Sequence, residues 1–123
     1  MKVTRVLIAD DERLFVEALE LILSDDERIE VVGRAHDGQE AVDLARELNP
    51  DVVLMDLSMP GMDGFGAIEA LIADEASRRV VVLSGSADPG DIDKAQAAGA
   101  WGYLTKEQIA EDLVPRVLEA AAA

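Results

Sequence analysis

Short apolar runs alternate with amphipathic stretches along the whole chain, and this rhythm restricts the possible folds more than any other feature of the sequence. Val6-Leu7-Ile8-Ala9, Val52-Val53-Leu54-Met55 and Val80-Val81-Val82-Leu83 carry no polar residue at period two. Strands of that kind are stable only with both faces covered, which places these three at the centre of a sheet. Ile29-Glu30-Val31-Val32 and Trp101-Gly102-Tyr103-Leu104 are interrupted by a charge or a glycine and suit the two edges. Between the runs, sets such as Ala41, Leu44, Ala45 and Leu48, or Phe65, Ile68 and Ile72, draw an apolar stripe along a helix. Asp37 with Glu40 reads as an acidic capping box, and Asp88-Pro89 as an N-cap followed by proline at the first helical position. Gly99 is the expected stop of the helix that begins there. Pro115 falls within the stripe of Ile109, Leu113 and Val117. An interior proline costs about 3 kcal/mol, so the last helix is expected to start near Asp112.

A strand–helix unit repeated five times, with short loops and right-handed crossovers, gives an α/β fold with a parallel sheet covered by helices on both faces. Interrupted strands outside and apolar strands inside select the order 2-1-3-4-5, the flavodoxin-like doubly wound (βα)5 arrangement. The expectation is one domain over residues 1–123. At 123 residues, half of them hydrophobic, the chain needs no disulfide or structural metal, because a domain of this size buries roughly two-thirds of its unfolded surface. It has no cysteine, which excludes thiolate metal sites and a disulfide-stapled scaffold. Its 26 acidic and 11 basic residues give a formal charge of −15. That charge repels nucleic-acid phosphates and anionic lipid, so neither is an expected partner, whereas a small cation is. No leader pattern opens the chain and no apolar run approaches the roughly 20 residues of a membrane span. A cytoplasmic location is the default expectation.

In such a sheet, ligands bind beyond the carboxyl ends of the strands, at the switch point between strands 1 and 3. Strand 1 runs into Asp10-Asp11-Glu12, strand 3 ends at Asp56, strand 4 ends at Ser84, and strand 5 leads through Thr105 to Lys106. Three neighbouring carboxylates oppose one another's ionisation, and a divalent cation resolves the conflict. Oxygen ligands without histidine or cysteine suit a hard ion, Mg²⁺ first and Mn²⁺ as a substitute. Lys106 adds a fixed positive charge, so a phosphoryl group would be held between two cations, with the Ser84 hydroxyl donating to its oxygens. Taken singly, each residue has an ordinary explanation: Asp10 or Asp11 as a helix cap, Asp56 as loop chemistry, Lys106 as a solvated lysine, Ser84 as a turn residue. Their convergence on one rim is what points to chemistry.

The motifs together resemble the receiver domain of two-component response regulators over essentially the full chain. The resemblance rests on Asp10-Asp11, the segment Pro50-Asp51-Val52-Val53-Leu54-Met55-Asp56-Leu57-Ser58-Met59-Pro60-Gly61-Met62-Asp63-Gly64, Ser84-Gly85, and Gly99-Ala100-Trp101-Gly102-Tyr103-Leu104-Thr105-Lys106. It implies that Asp56 accepts a phosphoryl group from a sensor histidine kinase or a histidine phosphotransfer protein, while Asp10, Asp11, Asp56 and the backbone carbonyl of Ser58 hold Mg²⁺. It further implies that Lys106, Ser84 and Gly85 bind the phosphoryl oxygens and that Ser84 and Tyr103 form the switch. Ser58 and Ser86 would tune dephosphorylation; both are small and neutral, so slow self-hydrolysis is expected. The fourth helix offers mostly methyl groups to the sheet and should be weakly anchored. The surface of helix 4, strand 5 and helix 5 is therefore the expected output, through self-association or partner contact.

Glu107 stands where many receivers have proline, a departure shared with the branch that carries a C-terminal LuxR/NarL-type helix-turn-helix. The residues after Lys106 suffice for one helix, so the expectation is either a single-domain regulator or a piece cut before a DNA-binding effector that controls transcription. The chain is thus expected to be a phosphoacceptor rather than an enzyme. A haloacid-dehalogenase-like phosphohydrolase needs a second aspartate two positions after the nucleophile, where this chain has Ser58. A flavin site would place its phosphate against Asp10-Asp11-Glu12, which repels it. A pseudo-receiver that binds partners without phosphorylation is the remaining alternative. Elsewhere, His36 reads as a loop residue, Phe15 and Phe65 as core, and Met59 and Met62 as packing beside a turn. Trp101 and Tyr103 are expected on one side of strand 5, with Trp101 against a helix.

Overall fold

The structure is a computed structural model that describes residues 2–57, 59, 64–75, 78–85 and 88–123. Strands β1 (Thr4–Ala9), β2 (Ile29–Ala35), β3 (Val52–Asp56), β4 (Arg79–Ser84) and β5 (Gly102–Thr105) alternate with helices α1 (Arg13–Ser24), α2 (Gly38–Leu48), α3 (Gly64–Asp74), α4 (Pro89–Ala98) and α5 (Ile109–Ala122). All strand pairs are parallel, in the order β2-β1-β3-β4-β5. Neighbouring residues of the central strands bury themselves on opposite faces. Val6, Ile8, Leu54 and Leu83 join the stripes of α1 and α5, while Leu7, Val53, Met55 and Val82 join those of α2, α3 and α4. This two-sided burial is why the three central runs lack polar alternation.

The caps follow the sequence with one adjustment. Asp37 accepts from the Glu40 N–H at 2.8 Å, but the Glu40 carboxylate reaches back to His36 N–H at 2.7 Å rather than to the cap residue itself. Asp88 accepts from the Gly90 N–H at 2.7 Å and Pro89 opens α4. Gly99 closes that helix at φ 111°, a left-handed conformation in which an added Cβ would also sit 3.2 Å from Ile72 Cγ1. Of the described residues of α4, only Ala95 is buried, in keeping with a lightly anchored helix.

Three expectations are corrected. Helix α5 begins at Ile109, not near Asp112, and carries Pro115 in its interior. The proline lies on the solvent face, and starting early lets Ile109 join Leu113, Val117 and Ala120 in the core, which offsets one lost backbone bond. Trp101 precedes β5 instead of lying within it and is 37% exposed, so it is not packed away under a helix. Phe15 and Phe65 are only partly buried and flank the core. Met59 is buried with the α2–α4 side as expected; Met62 and the Pro60-Gly61 turn lie outside the described residues.

Buried Arg78 has no counterpart in the sequence reading. Its guanidinium donates to the carbonyls of Leu71 at 3.0 Å and Ala45 at 3.2 Å, tying together the last turns of α3 and α2. A cation at these helix ends also meets the negative end of each macrodipole. Arg78→Met is expected to cost about 2–3 kcal/mol, because the carbonyls lose a charged donor where water has little access. An unchanged urea midpoint would remove this role.

Candidate functional site

The carboxyl ends of β1, β3, β4 and β5 bring the expected side chains onto one rim. Asp10 follows β1 and Asp56 ends β3, and both are almost fully buried, at 1% and 2% exposure. Asp11 is exposed beside them. Ligand oxygens of the three lie within 4.8 Å of one another, close enough for one small ion. Ser84, 6% exposed, closes β4, and exposed Gly85 follows, with no described residue within 4 Å of an added Cβ. Tyr103 is half-buried on β5, packed with the α2–α4 side of the core. Ser58 and Ser86 lie outside the described residues.

Lys106 starts the 3-10 turn Lys106–Gln108 after β5. With Glu107 in the turn, the Gln108 side chain fixes the loop by accepting from the Thr105 N–H at 2.9 Å and from the Thr105 hydroxyl at 3.1 Å. The ammonium thereby sits 3.6 Å from Asp10 Oδ2, 3.7 Å from Asp56 Oδ2 and 3.9 Å from Glu12 Oε2. It also lies 4.2 Å from the centre of the Phe15 ring. Glu12 and Phe15 were not singled out as site residues. The spacing of α1 contains the only signal, since residues at the start of this helix face the same rim as the end of β1.

Asp10 is not a conventional cap of α1; the N-cap position is Glu12, whose N–H donates to Asp10 Oδ1 at 2.8 Å. Among the described residues, no donor comes within hydrogen-bond distance of the other oxygen, Oδ2, although it is buried and the Lys106 ammonium pairs with it at 3.6 Å. Burial raises the Asp10 carboxyl from 3.8 to about 6, with Asp56 and Asp11 adding repulsion and the Glu12 N–H and Lys106 opposing the rise. At Asp10, repulsion among acids is therefore real but second to desolvation. A buried carboxylate oxygen without a hydrogen bond, in an all-oxygen cluster, fits a divalent cation, and these residues could hold one.

Residues 6–118 match the response regulator receiver domain family. This chain is a receiver domain of that family. It is 44% identical over 114 residues to protein-glutamate methylesterase/protein-glutamine glutaminase 3 of Myxococcus xanthus, covering 89% of this receiver and 32% of that protein. It is 38% identical over 117 residues to the nitrate/nitrite response regulator NarL of Escherichia coli, covering 95% of this receiver and 54% of NarL. The receiver thus spans about half, or less, of these relatives. The signal receiver domain of the putative response regulator NarL from Mycobacterium tuberculosis superposes with a TM-score of 0.95 at 36% identity, covering 100% of this receiver and 99% of that chain. The fold and the LuxR/NarL-type resemblance expected from the sequence are both borne out. Among the described residues, no helix is long and apolar enough to cross a membrane.

Proposed function

We propose that this receiver is a phosphoacceptor switch in which Asp56 takes a phosphoryl group from a phosphohistidine on a sensor histidine kinase or histidine phosphotransfer protein. A carboxylate oxygen of Asp56 bonds to phosphorus as the bond from phosphorus to the histidine nitrogen breaks, and the nitrogen leaves with its electron pair. Asp10, Asp11, Asp56 and the backbone carbonyl of Ser58 would hold Mg²⁺, with Mn²⁺ as a substitute. When bound, the ion neutralises charge on the transferring group and on the acids around it. Lys106 faces the same oxygens from the turn after β5, while Ser84 and Gly85 supply donors at the end of β4. The observation that carries this reading is the pairing of a three-carboxylate cluster, including one buried and unbonded oxygen, with a lysine held 3.6–3.7 Å from two of its members.

The new group carries about two negative charges and three acceptor oxygens, which must find donors. Ser84 is the hydroxyl at hand, and Tyr103 on the adjacent strand is the side chain whose position depends on it. The response then reaches the surface of α4, β5 and α5 through the least buried helix of the described fold. We infer that this surface controls an effector, through self-association or partner contact, and that the output is transcription when the effector binds DNA. Ser58 and Ser86 would set a slow return to the unmodified state.

Incubation with Mg²⁺ and phosphoramidate tests the reading by intact mass. The expected result is a gain of one phosphoryl group that requires the metal and disappears in Asp56→Asn. Labelling that persists in that variant would overturn the assignment of Asp56.

A further inference from the structure

A sizeable cavity lies away from the phosphoacceptor rim. It is a groove of about 630 Å³ along the β2 edge of the sheet, between α1 from Glu17 to Ser24 and β2 from Ile29 to Arg34. Its apolar floor is Leu21, Ile29 and Val31. Leu21 is 74% exposed, an unusual position for a leucine on a helix whose other face already fills the core. The register between β1 and β2 jumps from Val6↔Val31 to Leu7↔Gly33, so Val32 is an extra residue. That bulge puts Arg34 on the α1 side with Ile29 and Val31, where it pairs with Glu20 and closes one end of the groove. Asp26 at the other end is paired with Arg28 at 2.7 Å.

The remaining rim is acidic. Glu17, Glu27 and Glu30 are exposed, and among the described residues none of them forms an ion pair. An apolar floor under three carboxylates selects a ligand with an apolar anchor flanked by cations. Lipid headgroups and nucleic acid of negative charge are repelled. A second copy in a two-fold dimer would set the same acidic rim against itself, at a net charge of −15 per chain.

We propose that this groove docks a basic segment of a partner protein, which seats an apolar side chain on Leu21, Ile29 and Val31 and places Lys or Arg beside Glu17, Glu27 and Glu30. The site stands apart from the phosphoryl chemistry and does not depend on it. It gives a partner a foothold that leaves the carboxyl rim open.

A fluorescein-labelled peptide of Lys, Arg, Leu and Val, about 15 residues long, is the probe, titrated by anisotropy at about 0.15 M salt to suppress general charge attraction. Leu21→Asp and the double variant Glu27→Lys/Glu30→Lys are each expected to weaken binding about tenfold or more. Two controls, Leu14→Asp on the same helix outside the groove and Glu111→Lys on α5, are expected to stay within about twofold. All five altered positions are exposed, so the fold is not at risk. Absence of saturable binding, or equal loss in all four variants, would overturn the proposal. So would a dimer in sedimentation that Leu21→Asp converts to a monomer, since the occupant would then be a second copy.

Discussion

In Asp10→Asn, magnesium affinity falls by at least about tenfold, while the metal-free protein unfolds at a higher temperature near pH 7.5 than the unaltered chain. The two effects run in opposite directions for one reason. Folding raises the Asp10 carboxyl from 3.8 to about 6, chiefly by burial, so the folded state holds this proton more tightly than the unfolded state does. Between those two values the folded chain binds more protons, and stability falls as pH rises. The penalty is absent below about 3.8, grows up to about 6 and stays constant above it. Asparagine removes the charge, keeps an oxygen for the Glu12 N–H that donates at 2.8 Å, and leaves Lys106 with Asp56 and Glu12. The stabilisation should therefore vanish when melting is repeated near pH 4, where aspartate is itself mostly protonated in the fold. A bound cation removes the same penalty, so added Mg²⁺ should stabilise the unaltered chain more than the variant, and its apparent affinity should drop as pH falls below about 6. Melting curves with and without Mg²⁺ across this range check all of it. A variant less stable than the parent at neutral pH would show that Asp10 contributes more through Lys106 than it loses by burial.

How much of this was legible in the sequence depends on whether the decisive energy is local. The central strands announced themselves because Val6 to Ala9, Val52 to Met55 and Val80 to Leu83 are apolar at every position, and only a sheet covered on both sides satisfies that pattern. Asp88-Pro89 and Gly99 were legible because capping is decided within a few residues. Pro115 misled because its local cost was weighed without the burial of Ile109, a tertiary gain that pulls the helix start forward. Trp101 misled because period two assumes a strand, and pairing with β4 begins only at Gly102. At the rim, topology alone was enough to assemble Asp10, Asp11, Asp56, Ser84 and Lys106. What topology could not supply was the surroundings of the ammonium. That Glu12 and Phe15 meet Lys106 depends on the angle at which α1 leaves β1, and the weight of burial at Asp10 depends on how far the sheet covers it. The same limit hid Arg78, whose partners are two backbone carbonyls from separate helices and leave no trace in side-chain patterns.

Lys106→Met should slow phosphoryl transfer from phosphoramidate by about a hundredfold to a thousandfold while making the metal bind more tightly. Lys106 is the only cation among the described residues that approaches both buried acids, at 3.6 Å from Asp10 and 3.7 Å from Asp56. In the proposed reaction, negative charge gathers on the transferring oxygens between the lysine and the metal, and this is the charge a fixed ammonium stabilises without having to reorganise. Before transfer, the same ammonium neutralises the acids that should bind the cation, so it competes with Mg²⁺ for them. Its removal leaves more uncompensated negative charge at the cluster, and affinity for a divalent ion rises as the metal-free fold loses stability. Methionine keeps an unbranched apolar stem over the Phe15 ring, which lies 4.2 Å from the ammonium, so packing there is largely retained. Lys106→Arg, which restores charge but not a compact donor, should recover part of the rate. Single-turnover labelling at saturating Mg²⁺ separates the two effects, because tighter metal binding cannot then hide a slower chemical step. A methionine variant that labels at the parental rate would leave Lys106 as a structural counter-ion to Asp10 and would move the stabilisation of the phosphoryl group onto the metal and the end of β4.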